Sequence, residues 1–237
     1  MTDAQAPTAG AGGEDSRAGD PLNGDPLNGD PLNGDPRLAL VFGERLAVVA
    51  AFRDALVAEG ETRGLIGPRE ASRLWERHLL NSAAVVPFLP EGSVIDVGSG
   101  AGLPGLVIAA MEPEREIILV EPMERRVAWL EEMVDRLGLK NVRVMRARAE
   151  SIAGLVRAPA VTARAVAPLA KLSRWCEPLV SDGGVMLFLK GRAATDEVAS
   201  AAGAMRQLRL SAEVLEAATP LGLEPTRVIR VVRTALD

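Results

Sequence analysis

Ser93-Val94-Ile95-Asp96-Val97-Gly98-Ser99-Gly100-Ala101-Gly102-Leu103-Pro104-Gly105 puts a carboxylate on a short apolar stretch, then four glycines within eight residues. Glycines let a backbone turn with positive φ and leave no Cβ in the way of a ligand. The residues that follow read as a helix, whose first N–H groups and dipole point at whatever occupies the turn. About twenty residues on, Glu121 ends the apolar run Ile117-Ile118-Leu119-Val120, where a carboxylate accepts hydrogen bonds from both hydroxyls of a ribose. Together these residues describe a loop for a nucleotide-type cofactor.

Spacing alone leaves the cofactor open. Gly100-Ala101-Gly102-Leu103-Pro104-Gly105 fits the G-x-G-x-x-G fingerprint of nicotinamide and flavin enzymes. Gly98-Ser99-Gly100-Ala101-Gly102 directly behind Asp96 fits another pattern, the acid plus G-x-G-x-G that resembles motif I of class I S-adenosylmethionine (SAM) methyltransferases. A purely structural glycine turn is the third possibility.

Classical catalytic groups are sparse. His78 is the sole histidine and Cys176 the sole cysteine, so neither a metal cluster nor a Cys/His dyad is expected. Cys176 reads as a small core residue, and a lone cysteine excludes an internal disulfide, which fits a reducing, cytoplasmic location. No apolar run reaches the roughly twenty residues of a membrane span, and no apolar stretch follows a basic N-terminus. Trp75, Trp129 and Trp175 are expected in the core. Tyrosine is absent and phenylalanine occurs four times, which leaves little for an aromatic platform under single-stranded RNA.

The 237 residues suffice for one domain with an appendage. Of the net charge of −5, all is carried by residues 1–37, which hold seven of the 32 acids and two of the 27 bases. The remaining 200 residues are neutral, yet Lys140 to Arg174 contains eight basic residues against Glu150 alone. Local field rather than total charge attracts phosphate, so this stretch, with Arg146 and Arg148, is a candidate RNA-facing patch; a solvated basic face is the bland alternative.

Residues 1–37 repeat Asp-Pro-Leu-Asn-Gly from Asp20, Asp25 and Asp30, with a fourth copy begun at Asp35. One leucine per five residues buries too little apolar surface to offset ordering entropy, so a disordered tail is expected there. Residues 38–237 form the domain proper, opening with a helical cap over 38–90 in which one helix runs to about Val57 and a second starts at Pro68 and runs through Leu80. Strands then fall near 93–97, 116–121, 141–146, 160–165, 184–190, 212–217 and 227–233, with helices near 103–111, 123–137, 167–179 and 194–207. Apolar strands alternating with helices predict a parallel sheet covered on both faces. The last two strands lack an intervening helix, which predicts a terminal hairpin with an antiparallel edge strand and favours the SAM reading over a dehydrogenase. Arg164 interrupts the apolar Val161-Thr162-Ala163 and Ala165-Val166 at a strand's C-terminal end, where a charge faces the ligand crevice. Lys190, ending Val185-Met186-Leu187-Phe188-Leu189, follows the same logic toward RNA phosphate.

From about residue 40 onward the chain resembles the small-subunit rRNA guanine-N7 methyltransferase G family, also called glucose-inhibited division protein B. The resemblance rests on Arg77-His78-Leu79-Leu80-Asn81-Ser82, Asp96 to Gly105, Ala149-Glu150, Thr162 to Pro168, and Leu189-Lys190-Gly191. It implies an α/β, Rossmann-like class I SAM-dependent methyltransferase with a seven-stranded, mostly parallel sheet. The implied activity is methylation of guanine N7 in 16S rRNA, in rRNA processing in the cytoplasm. SAM is the cofactor, 16S rRNA or the small ribosomal subunit the partner, and neither metal nor membrane is involved; a monomer is expected. Carried over, the resemblance assigns Gly98 and Leu103 to the methionine and ribose part of SAM, with Asp96, Gly100 and Gly102 shaping the same turn. Glu121 goes to the ribose, Ala149 and Glu150 to the adenine, and Arg164 to the cofactor's vicinity. Arg77, His78, Arg146, Arg148 and Lys190 are the RNA-binding candidates, although an amphipathic helix favours packing and hydrogen bonding for His78. Asn81 stands where the family more often has Asp, and Pro159 where an acid usually opens the strand, which suggests altered geometry at that strand's start. Guanine N7 carries a lone pair and no proton, so no general base is required and no catalytic side chain is assigned. The alternatives are a nicotinamide-dependent oxidoreductase and a non-catalytic RNA-binding assembly factor.

Overall fold

The computed structural model describes residues 29–218 and 221–234. Strands β1 (Val94–Val97), β2 (Ile117–Val120), β3 (Val142–Met145), β4 (Ala158–Arg164), β5 (Val180–Lys190), β6 (Leu210–Ala217) and β7 (Thr226–Arg233) form one sheet in the order β3-β2-β1-β4-β5-β7-β6. The first five pair in parallel, and β7 runs antiparallel to both β5 and β6.

The antiparallel strand expected at the edge is therefore interior, and β6 is the edge. Composition explains the swap. Val228, Ile229 and Val231 of β7 are buried, as an interior strand requires, whereas β6 carries Glu213 and Glu216, which pair with Arg230 and Arg227. At the start of β4, Ala158 pairs with Val180 but Ala160 with Val185, so the register shifts across Pro159, whose ring nitrogen has no N–H to donate.

Helices cover both faces. On one side lie α1 (Ala39–Phe42), α2 (Leu46–Glu59), α3 (Asn81–Ala83), α4 (Gly105–Met111) and α5 (Glu124–Arg136), packed on Val94, Ile117, Leu119, Ala160 and Leu187. On the other, α6 (Leu169–Cys176) and α7 (Ala194–Gln207) pack on Ile95, Val97, Ile118, Val161 and Phe188. Alternate strand residues thus serve alternate cores, the reason these strands read as continuous apolar runs. Cys176 is buried in the second core, as are Trp75 and Trp129 in the first. Trp175 departs from expectation: it is half-buried, with Lys171 Nζ 4.8 Å from its ring centroid.

The second cap helix also differs. A 3₁₀ turn at Ala71–Arg73 leads into a π-helical turn, Trp75–Leu80, that continues as α3. The wide turn buries Trp75, His78, Leu79 and Leu80 together. Its N-terminus is capped from a distance, because Asp30 Oδ2 accepts the Trp75 N–H at 2.9 Å. Asp30 Oδ1 also accepts from Leu32 N at 3.2 Å, and both residues are buried. Residues 29–37, placed in the tail by composition, are in this part packed on the cap; residues 1–28 lie outside the described residues.

Replacing Asp30 with Ala leaves the Trp75 N–H without its acceptor. Urea unfolding should show a loss of about 1–3 kcal/mol; an unchanged midpoint would contradict the capping role.

Candidate functional site

Asp96, the third residue of β1, shares the face of Val94, beneath α4 and the cap. It has no exposed surface. Its Oδ2 accepts the N–H of Gly105, the first residue of α4, at 3.1 Å, and its Oδ1 accepts the Thr162 hydroxyl of β4 at 3.2 Å. Burial pushes its carboxyl up to about 6 against the pull of these hydrogen bonds and of Arg164, so it is ionised at neutral pH.

The glycine turn starts where β1 ends. Gly98 N–H donates to Val120 O at 2.8 Å and Gly102 N–H to Ser99 O at 2.7 Å. Three glycines are demanded by packing: Gly98 has φ +69°, and a Cβ there would lie 2.7 Å from Val166 Cγ2. Gly102 has φ +101°, and a Cβ there would lie 2.4 Å from Leu106 Cδ1. A Cβ on Gly105 would lie 2.7 Å from Asp96 Oδ2 and 2.3 Å from Leu119 Cδ2. Gly100 differs: no atom comes within 3.7 Å of where its Cβ would be, so the turn is open there, beside Glu121. Trp129 Nε1 donates to Ala101 O at 3.0 Å and ties the turn to α5.

Glu121 continues the Ile117, Leu119 face just past β2 and is buried. Its Oε2 accepts Gly100 N–H at 3.0 Å and its Oε1 accepts Met123 N–H at 2.9 Å. Each carboxylate oxygen keeps a second lone pair, so two hydroxyls of a ribose remain within its capacity. Arg126 Nη1 lies 3.9 Å from Glu121 Oε2. This arginine was not singled out in the sequence; its only signal is a position five residues after Glu121, in the first turn of α5. Past β3, Ala149 is buried and Glu150 exposed at the head of a 3₁₀ turn, Ala149–Ile152. Gly98, Leu103, Glu121, Ala149 and Glu150 thus border the carboxyl ends of β1, β2 and β3.

Arg164 lies on the same face of β4 as Thr162, and its guanidinium reaches the π-helical turn. Nη2 bonds His78 Nδ1, and Nη1 donates to His78 O at 3.4 Å. A guanidinium only donates, so Nδ1 accepts and the imidazole proton sits on Nε2, toward Glu70 Oε2 at 2.5 Å. Burial first, then Arg164, push the imidazole down to about 4, and the hydrogen bond from His78 holds the Glu70 carboxyl below its ordinary range. Glu70–His78–Arg164 is therefore a chain of anion, neutral ring and cation. Glu70 was missed in the sequence because nothing local links it to Arg164.

The RNA candidates separate. Arg77 is exposed, 3.6 Å from Glu70 Oε1. His78 has both ring nitrogens committed internally, so the reading as an RNA contact gives way to packing. Lys190 is also engaged: Nζ donates to Ala167 O and to Glu197 Oε1, both at 2.9 Å. Arg146 and Arg148 are exposed beyond β3, on the opposite side of the glycine turn, with Arg146 3.0 Å from Glu124. Among the described residues no group of three or more His, Cys, Asp or Glu is placed to hold a metal ion, and no helix is long and apolar enough to cross a membrane.

Comparison with known proteins gives concordant matches. Residues 45–220 match the family model described as rRNA small subunit methyltransferase G. The ribosomal RNA small subunit methyltransferase G of Pseudarthrobacter chlorophenolicus is 50% identical over 194 residues, covering 81% of this chain and 90% of that protein. That of Salinispora arenicola is 50% identical over 202 residues, covering 81% and 84%. Among solved structures, a SAM-dependent methyltransferase from Aquifex aeolicus superposes with a TM-score of 0.52 at 17% identity, over 73% of this chain and 97% of that one. A protein from Corynebacterium glutamicum does so with 0.52 at 21%, over 84% and 95%. These structures share the fold.

His78 makes stability depend on pH. Folded, it stays neutral down to about 4; unfolded, it takes up a proton near 6.5. Between those values the unfolded chain binds more protons, so acidification lowers stability. Asp96 opposes this from about 6 downward, since its folded carboxyl protonates before its unfolded one, and it does so in parent and variant alike. Between pH 7 and pH 5, His78→Gln should therefore lose about 1–2 kcal/mol less than the parent in denaturant titrations; equal losses would contradict a neutral buried ring.

Proposed function

We propose that this chain, which belongs to the rRNA small subunit methyltransferase G family, transfers the methyl group of SAM to N7 of a guanine in 16S rRNA. The observation that carries the cofactor reading is Glu121: a buried carboxylate with spare lone pairs beside an open glycine, at the carboxyl end of the strand next to β1. A Cβ at Gly100 would fill the space a nucleoside needs, and the residues present fit such a ligand.

When bound, SAM supplies an electrophilic methyl group on a sulfonium, and S-adenosylhomocysteine leaves as a neutral thioether that keeps the C–S electron pair. The chain's own residues then have positioning to do. Glu121 accepts the ribose hydroxyls, the Gly98–Gly102 backbone and Leu103 border the methionine part, and Ala149 with Glu150 borders the adenine. Arg164 is fixed by His78 at the adjoining end of β4, where the two reactants meet. Guanine N7 presents an in-plane lone pair and no proton, so no residue has to remove one. Alignment of two bound reactants is worth about 7–11 kcal/mol, which accounts for a site without a catalytic dyad or triad. Action on ribosomal RNA supports a cytoplasmic location, and a monomer is proposed as the working state.

The test is transfer of labelled methyl from SAM to small-subunit RNA from a strain lacking this gene, with the modified base mapped by mass spectrometry of digested 16S rRNA. One methyl on guanine N7 is the expected result; no incorporation into 16S rRNA would refute the reading. Glu121→Gln should weaken S-adenosylhomocysteine binding about tenfold or more in calorimetry, with the thermal transition retained. Arg164→Ala should lower cofactor affinity in the same titration while the chain still folds; curves matching the parent's would remove Arg164 from the site.

A further inference from the structure

Beside the glycine turn, a cleft of about 860 Å³ opens between the cap and the carboxyl ends of β4 and β5. Its size falls within the roughly 300–1,000 Å³ of small-molecule sites. The floor is Arg164 with His78, and the walls are Asn81 and Thr226, joined by a hydrogen bond of 3.2 Å. The rim carries arginines on both sides, Arg73 and Arg77 from the cap and, opposite, Arg192 just past β5 and Arg227 of β7, interleaved with Glu70, Glu76 and Glu224.

Floor and rim cations differ in what it takes to free them. Arg192, 84% exposed, rests on Glu224 at 2.6 Å, and Arg73 rests on Glu76 at 3.1 Å. Exposed ion pairs of this kind are worth about 0–1 kcal/mol, so a phosphate displaces the carboxylate at little cost. Arg164 is held by a buried imidazole and a buried carbonyl, and its geometry is set before any ligand arrives. Ala165, the residue that follows β4 and lines the same cleft, has φ +54°. That left-handed conformation costs a non-glycine residue about 1–2 kcal/mol, and such strain concentrates where ligands bind.

We propose that this cleft seats the target nucleotide, its phosphates on the Arg73, Arg77, Arg192 and Arg227 rim and its base over Arg164. The assignment rests on the methyl-transfer reading for the identity of the base, and it adds the direction of approach. RNA reaches the glycine turn from the β5–β7 side, and the Arg146–Arg148 side beyond β3 is not the seat of the base. Arg164 then joins the two ligands, with the cofactor turn on one side and the base on the other.

Two measurements test it, neither requiring turnover. In the first, 16S rRNA transcribed with 6-thioguanosine is irradiated with the protein in the presence of S-adenosylhomocysteine, and crosslinked peptides are sequenced. Crosslinks are expected in residues 73–81, 189–192 or 224–227; crosslinks elsewhere, or none, overturn the proposal. In the second, binding of the same RNA is followed against salt for the parent and for Arg73→Glu/Arg192→Glu. The double variant should bind at least tenfold more weakly, with its log–log salt slope reduced by about 0.7–0.9 for each phosphate that it no longer neutralises, and should bind S-adenosylhomocysteine like the parent. Parental RNA affinity and slope would overturn the proposal. Crosslinks in the cleft without methyl transfer from SAM would instead count against the function proposed above and leave the cleft's role standing.

Discussion

A carboxylate without exposed surface is costly to bury unless donors meet its oxygens, and Asp96 satisfies that condition where three chain segments converge. The start of α4 supplies one donor through Gly105 and β4 supplies another through Thr162. Asp96 thereby fixes how far α4 stands from the end of β1, and the glycine turn must span that distance. Gly102 and Gly105 follow from it, because any side chain at either would collide with Leu106, Leu119 or Asp96 itself. The local geometry of the turn is thus set from beneath, by the sheet, before a ligand is considered.

A second polar chain lies a few residues away and works differently. Asp96 is locked by backbone and hydroxyl donors, whereas Arg164 is locked by side chains from another part of the sequence, through His78 to Glu70. One device shapes the turn proposed to hold a nucleoside; the other plants a cation at the boundary between the turn and the neighbouring cleft. Both lie on a single face of the sheet, since Asp96, Thr162 and Arg164 follow the two-residue period of their strands. Chemistry that depends on bringing two partners into line needs two such fixed references more than it needs a reactive side chain.

Most of the fold was legible in the sequence because its signals are local. Strand and helix positions follow from apolar runs and glycines, and the acid–glycine turn and Glu121 from spacing. What was illegible depends on distant partners. The place of β7 inside the sheet is decided by which of two adjacent strands has more surface to bury, a comparison that no single strand discloses. The π-helical turn at Trp75–Leu80 and its cap by Asp30 join residues 45 positions apart. Lys190 looks from the sequence like a group reaching outward, yet its bonds to Glu197 and Ala167 turn it inward, whereas for His78 the sequence favours packing but does not name its partners, Arg164 and Glu70. Arg126 offered only its position five residues after Glu121.

The Asp30 anchor has an evolutionary corollary. The five-residue unit that supplies Asp30 and the buried Leu32 is one of three identical copies in tandem, Asp20 to Gly34. Tandem copies in a coding sequence are prone to gain or loss of whole units during replication. Because the units are interchangeable, whichever copy adjoins Asp35-Pro36 brings the same aspartate and leucine to the cap. Gain or loss of a unit that leaves one complete copy before Asp35-Pro36 therefore keeps the aspartate that caps Trp75 and the leucine buried beside it.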